Sequence, residues 1–356
     1  MVNQPSSGQR VQPRVGVVGV YAGGADVELV RQTRAVAGHV TVSGTAGRRA
    51  ITALAKAGDL YGVDLDPATY CDLKPAPQLA MFGLDWEAWQ RDQGLPVVRS
   101  AGRHVGSGDV TALAEAFSMP VGTATVRVVS LHSGWLRREG LLPRLLGWVR
   151  RCDDMLAFVL ADVFDPLGDV GAVDGLRGVL DAAGEGGRRV ELLRSDLTAV
   201  GFAVTGGSLA TIGLGTSTRH HGLPMNRQTA EKYRERQCSP YALVRALLSW
   251  QKGTALGALA PFGGAGITEC DCPACGGASL LRFDRQWPGQ VPADVRAEAR
   301  AHDLHTAVGF AEEILNGPAP ARAWVHACRA AMTTADAIAE AHRVELSVPN
   351  SITGWI

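Results

Sequence analysis

A (β/α)8 barrel of the TIM type with an appended C-terminal zinc-binding subdomain is the fold this sequence predicts, on three observations. Short β-branched runs alternate with amphipathic stretches from residue 14 to residue 262. The runs are almost continuously apolar, as strands buried on both faces of a parallel sheet must be. Three cysteines then crowd into six residues, Cys270, Cys272 and Cys275. At 356 residues and 46% hydrophobic content the chain can bury one large barrel core or two ordinary domains. A doubly wound open sheet is the fold alternative.

Taken in order, residues 1–13 are polar and rich in Pro, Ser, Gly and Gln, and read as a disordered leader. Strand runs follow at 15–20, 39–44, 60–65, 95–100, 123–131, 154–162, 190–195 and 209–215, each bounded by Gly, Pro or Asp. Apolar residues spaced three and four apart predict helices at Val27–Ala37, Arg48–Ala57, Leu141–Arg151, Leu176–Ala183 and Pro240–Trp250. A last candidate strand lies at Thr254–Phe262. Residues 263–356 form the zinc subdomain and a helical tail over Asp294–Arg343. Strand–helix units numbering about eight fit a closed barrel better than an open sheet.

Lys plus Arg equal Asp plus Glu at 35 each, so no global field draws the chain to nucleic acid, and such binding must come from a local patch. Arg137, Arg138, Arg144, Arg150 and Arg151 stand at helical positions and read as a solvated face. Cys71, Cys152, Cys238 and Cys328 are scattered and read as reduced thiols, not a disulfide framework. With no signal-peptide pattern and no uninterrupted apolar run of about 18 residues, the expected location is cytoplasmic, off the membrane.

The run Glu269-Cys270-Asp271-Cys272-Pro273-Ala274-Cys275 is the strongest chemical signal. Zinc takes four soft or borderline ligands in a tetrahedron, and a tight turn supplied by Pro273, Gly276 and Gly277 aims neighbouring thiolates at one point. His302 and His305 both stand at a distance that one helical excursion covers. Four protein ligands leave no open position for water, so this zinc would serve folding.

ECDCPAC at 269–275, LHTAVGFAEEIL at 304–315 and TGGSLATIG at 205–213 together resemble the tRNA-guanine transglycosylase family, the queuine and archaeosine tRNA-ribosyltransferases. The resemblance extends over about 250 residues, and only the zinc motif is specific. It implies His305 as fourth ligand and the glycine-rich loop with Gly206, Gly207 and Gly213 as a base-contacting segment. It also implies that Asp162, with Asp165 beside it, accepts from the N–H groups of a purine or 7-deazapurine, a task suited to a carboxylate's paired acceptors. A dimer through the zinc region, with itself or a second chain, is a further implication.

The chain departs from that family's pattern at the catalytic carboxylates. GLPVVRSAGRHVG at 94–106 aligns with an Asp-Ser-Gly-Gly motif and puts Arg99 in the aspartate's place, and Arg219–Glu269 contains no aspartate. Asp64 and Asp66, alternate residues of one strand facing one side, are the substitutes the sequence offers. Thr216–His221 follows a late strand, where barrel loops collect phosphates, so Arg219 and His220, with Arg99, are expected to contact phosphate or sugar. Three functions follow as expectations: base exchange on, or binding of, a purine-type base in tRNA or DNA; a non-catalytic partner subunit that keeps the zinc; or an unrelated sugar-phosphate barrel enzyme.

Overall fold

All eight β-branched runs form strands, and their main segments lie parallel in one sheet. The computed structural model describes residues 16–23, 26–71, 85–137, 140–169, 171–224, 238–264, 267–342 and 348–356. The expected leader at 1–13 lies outside them. The strands are β1 (Val17–Ala22), β2 (Val40–Ser43), β3 (Val63–Asp66), β4 (Val98–Arg99), β5 (Arg103–Val105), β6 (Thr125–His132), β7 (Leu156–Asp162), β8 (Val190–Ser195), β9 (Leu209–Gly213) and the short β10 (His221–Gly222). The spatial order along the sheet is β3-β2-β1-β9-β8-β7-β6-β4. β5 continues β4 along β6 after a bulge, since Arg99 pairs with Val126 but Arg103 with Val129, one residue extra on the first strand.

The sheet is strongly curled. A flat sheet would part its edge strands β3 and β4 by about 34 Å, seven steps of about 4.8 Å. Instead Arg99 Nη2 lies 3.0 Å from Asp64 Oδ2, and Arg99 Nη1 donates to the Leu65 carbonyl at 3.2 Å. The curl has two faces. Tyr21, Val126, Val128, Ala157, Val159 and Leu193 form the apolar part of its inside. Their neighbours Val129, Leu131, Phe158, Leu160 and Leu192 belong to a larger cluster with the covering helices, as period-two alternation requires.

The helices are α1 (Val27–Ala37), α2 (Gly44–Lys56), α3 (Trp86–Asp92), α4 (Val110–Ser118), α5 (Gly134–Arg137), α6 (Leu141–Arg151), α7 (Ala172–Gly184) and α8 (Thr198–Val204). Local chemistry sets their ends. Asp26 caps α1 by accepting from the Leu29 N–H at 2.7 Å, and Gly38 at φ 68° ends it in a conformation costly for other residues. α6 buries Leu145 and Val149 and turns Arg151 outward.

Two expectations are corrected, and the expected helical tail divides in two. Pro240–Trp250 is not a helix: β11 (Tyr241–Val244) and β12 (Ser249–Lys252) form an antiparallel hairpin, closed by a 3-10 turn and by Leu248 at φ 47°. A short run apolar on every face fits helix and strand alike, and here burial of Leu243, Val244 and Leu248 decides for the hairpin. Thr254–Phe262 is not a strand but α9 (Gly253–Leu256) running into a 3-10 turn over Gly257–Phe262. The tail is two helices, α10 (Ala293–Leu315) and α11 (Pro320–His342), broken at the Asn316-Gly317-Pro318 turn and followed by a short α12 (Asn350–Thr353).

The packing does not follow the boundary expected at residue 262. One hydrophobic cluster runs from Leu131 and Phe158 to Cys270, Phe283, Trp324 and Trp355. Gly201 on α8 permits this, because a β-carbon there would stand 2.6 Å from both Trp324 Nε1 and the Trp355 ring. Among the described residues no helix is long and apolar enough to cross a membrane.

Candidate functional site

The three clustered cysteines meet a histidine from α10, and it is His302, not His305. The Cys270, Cys272, Cys275 and His302 ligand atoms all lie within 4.8 Å of one another, a group that can hold a metal ion. His305, three residues further along α10, is not one of the ligand atoms that meet, although it lines the adjoining cavity together with Cys270, Cys272 and His302. His302 Nδ1 stands 3.3, 3.7 and 3.3 Å from the sulfurs of Cys270, Cys272 and Cys275. Bonds of about 2.3 Å to sulfur and 2.05 Å to nitrogen at a tetrahedral angle would give about 3.6 Å. The tautomer also fits: His302 Nε2 bonds the Leu243 carbonyl at 2.9 Å, so its proton is there and Nδ1 presents a lone pair to the thiols. Arg282 Nη2 donates to Cys275 Sγ at 2.9 Å, supporting a thiolate.

Inside the curl, the proposed catalytic and phosphate-binding residues bind each other. Asp64 accepts from Thr41 Oγ1 at 2.9 Å and from Arg99 Nη2 at 3.0 Å; His39 Nε2 lies 3.2 Å away, outside hydrogen-bond geometry. Arg99 also donates through Nε and Nη2 to Glu191 Oε2 at 3.0 and 2.8 Å. Arg99 is 0% exposed, so it offers no face to a phosphate, and Asp64 at 1% offers none to a sugar. Burial pushes the Asp64 carboxyl up, but the Arg99 and His39 charges more than reverse this and hold it well below the usual range. Glu191, more weakly compensated, is raised by burial. Asp66 is equally enclosed, accepting from the Tyr21 hydroxyl at 2.7 Å, from the Tyr70 hydroxyl and from the Ala68 N–H at 2.9 Å. It anchors the mouth and does not open onto it.

The glycine-rich loop is divided between opposite ends of the sheet. Gly206 and Gly207 precede β9, and Gly207 lies under the Phe202 ring, 2.1 Å from where a β-carbon would be. Gly213 ends β9 at the mouth, where Thr218 O and Arg219 crowd it. Six residues of extended chain, about 20 Å, separate Gly207 from Gly213, so they cannot touch one base. Asp162 ends β7, accepting from the Ser133 hydroxyl and the Val163 N–H and lying 3.7 Å from Arg137 Nη1.

Beside Asp162, β10 pairs with the end of β7 and brings two imidazoles together. Ser130 Oγ lies 3.1 Å from His104 Nδ1 and 3.0 Å from His221 Nδ1. Burial lowers the pKa of both rings, that of His221 to about 4. A hydroxyl donates one proton and cannot give to both rings, so at least one of these imidazoles carries its proton on Nδ1 and donates to Ser130.

Between the ends of β7 and β8 and the β11–β12 hairpin lies a cavity of about 370 Å³. Asp165, Asp196, Arg194, Arg219, His220 and Trp250 are among the residues that line it. Burial, reinforced by the Asp196 charge, raises Asp165 to about 6. Asp196 accepts from the Thr198 N–H at 2.8 Å, the Thr198 hydroxyl at 2.5 Å and the Ser351 hydroxyl at 3.0 Å. Arg219 and His220, expected to contact phosphate or sugar, both line this cavity. The sequence reading missed Asp196, Arg194 and Trp250. For Asp196 the available signal was Ser195-Asp196-Leu197-Thr198, a capping pattern at a strand end.

No family model and no curated protein matches the chain.

Proposed function

We propose that this chain is a transglycosylase-like protein, resembling the tRNA-guanine transglycosylase family, that exchanges or binds a purine or 7-deazapurine base of tRNA or DNA. On this reading its carboxylates have moved to Asp165 and Asp196. The observation that carries it is that pair, at adjacent strand ends in one enclosed cavity, with Asp165 raised to about 6. Such a group holds its proton up to about pH 6, far closer to neutral than an ordinary carboxyl, and two carboxylates of unlike acidity suit glycosyl transfer. Asp196 would attack the ribose C1′ as the bond from C1′ to the base nitrogen breaks, and Asp165 would give its proton to the departing base. The incoming base would return a proton to Asp165 and displace Asp196.

Two finer features complete the proposal. The curled sheet is a closed (β/α)8 barrel whose last junction, between β3 and β4, is made by side chains instead of a backbone ladder. The Cys3His cluster takes zinc, because three thiolates and one imidazole in a tetrahedron are that ion's preferred structural set. When bound, zinc would hold the segment around Cys270–Cys275 to α10.

The test is incubation of metal-quantified protein with radiolabelled guanine and either tRNA or duplex DNA. Incorporation of label, abolished in Asp165→Asn and Asp196→Asn variants of unchanged metal content, is the expected result. No incorporation would turn the reading to a zinc-containing, non-catalytic partner subunit, which the enclosure of Asp64 and Asp66 already favours as second choice.

A further inference from the structure

Two guanidinium groups border the 370 Å³ cavity without a direct carboxylate hydrogen bond among the described residues, although the charges of Asp303 and Asp196 act on Arg219 from a distance. Arg219 lies flat on Trp250, its Cζ 3.8 Å from the ring centroid, and its remaining polar contacts are the Gly213 and Leu214 carbonyls, both at 3.4 Å. Burial pulls its pKa down to about 10. Arg194 stacks over the Tyr21 and Tyr70 rings, at 5.4 and 6.0 Å, the same two tyrosines that Asp66 holds. Its Nη1 reaches Cys71 Sγ at 3.2 Å and its Nη2 the Ser217 carbonyl at 2.6 Å, while its Nε is enclosed with no partner among the described residues. The Arg194 backbone sits at φ 56°, in the left-handed region, at the irregularity where β8 loses register with β9.

Each of these features costs free energy. A half-buried cation without a direct ion pair is under-compensated, an enclosed N–H wants an acceptor, and a non-glycine residue at positive φ is strained unless its surroundings hold it. An oxyanion in the cavity answers the first two, because phosphate presents several acceptors to guanidinium forks. His220 lines the same wall. The cavity is at the lower end of the roughly 300–1,000 Å³ typical of small-molecule sites, enough for one nucleotide unit.

We propose that Arg194, Arg219 and His220 form a phosphate-binding part of this cavity, which Asp165 and Asp196 also line, so that the ligand is a nucleotide whose phosphate enters the cavity with its base. The base end rests on the function proposed above; the phosphate end does not. A terminal monoester and an internal diester present the same oxyanion to this wall, and the test distinguishes them.

Calorimetric titration of the metal-loaded protein with inorganic phosphate, guanosine, guanosine 5′-monophosphate and a guanylyl dinucleotide tests this, with Trp250 fluorescence as a second readout. The monophosphate or the dinucleotide should bind about 10- to 100-fold more tightly than guanosine, as charged hydrogen bonds of this kind allow. Arg194→Met and Arg219→Met should each erase most of that advantage, and Arg219→Lys should restore part. Preference for the monophosphate marks a free nucleotide; preference for the dinucleotide marks a polynucleotide backbone. Equal binding of guanosine and both phosphorylated ligands to the wild-type protein would overturn the proposal without need of any variant. Phosphate-dependent binding without guanine incorporation would leave it standing and remove the exchange reaction.

Discussion

The Gln90 side chain bonds both backbone groups of Arg99, donating from Nε2 to its carbonyl at 2.7 Å and accepting at Oε1 from its N–H at 3.0 Å. Gln90 thereby does for the edge of β4 what a neighbouring strand would do, and it is 0% exposed. Replacing it by Met keeps the volume and strands two buried backbone groups, at about 1–3 kcal/mol each. Gln90→Met should lower the stability measured by urea unfolding by about 2–4 kcal/mol, whereas Gln93→Met, just past the same helix, should be close to neutral.

Asp165 gives a pH signature whose sign is fixed. Its folded pKa of about 6 lies above the unfolded value of about 3.9. Below about pH 4 both states hold the proton and the residue costs nothing. Between about pH 4 and 6 the unfolded chain releases its proton first, so the residue's contribution falls with rising pH, and above that range the cost is constant. Asp165→Asn should therefore match the wild type near pH 4 and exceed it by an amount on the order of 2 kcal/mol at about pH 7.5, in denaturation curves taken at each pH.

The metal centre separates two histidines on neighbouring turns of one helix. His302→Ala should abolish stoichiometric metal retention, read by elemental analysis after gel filtration, while His305→Ala should retain it. Arg282→Leu, which removes the N–H donor to Cys275 Sγ, should weaken metal affinity by about 10- to 100-fold, measured by chelator competition. Chelation should melt the protein at lower temperature, since the ligands exist as a set only in the folded state.

For the histidine pair, nitrogen-15 spectra at neutral pH should show at least one ring of His104 and His221 protonated at Nδ1. Ser130→Ala should free both rings from that constraint and shift at least one toward the Nε2–H form usual in water. Two rings both protonated at Nε2 in the wild type would rule out the shared hydroxyl.

What could be read from the sequence follows from the range over which each feature is specified. The eight strands were legible because each is a local apolar run, and the unbroken burial of Leu156–Ala161 in β7 shows the result. The thiol cluster was legible because its ligands share one turn. Arg99 was not, because its partners Asp64 and Glu191 lie 35 and 92 residues away and meet it only when the sheet curls. The choice between His302 and His305 turned on the rotational phase of α10, which spacing to the cysteines does not encode. Arg194 and Asp196 escaped for a related reason: their meaning comes from the cavity that Trp250 and Ser351, distant in sequence, help to enclose.

His302 and Asp303 are successive residues of α10 that grip the same hairpin residue. His302 Nε2 holds the Leu243 carbonyl, and Asp303 accepts from the Leu243 N–H at 2.7 Å and from Trp250 Nε1 at 3.0 Å. Trp250 in turn carries Arg219 on its ring face. One unbroken chain of contacts, through the two peptide units of Leu243, thus joins a metal ligand to the cavity wall, and any coupling carried along it would act with equal free energy in both directions.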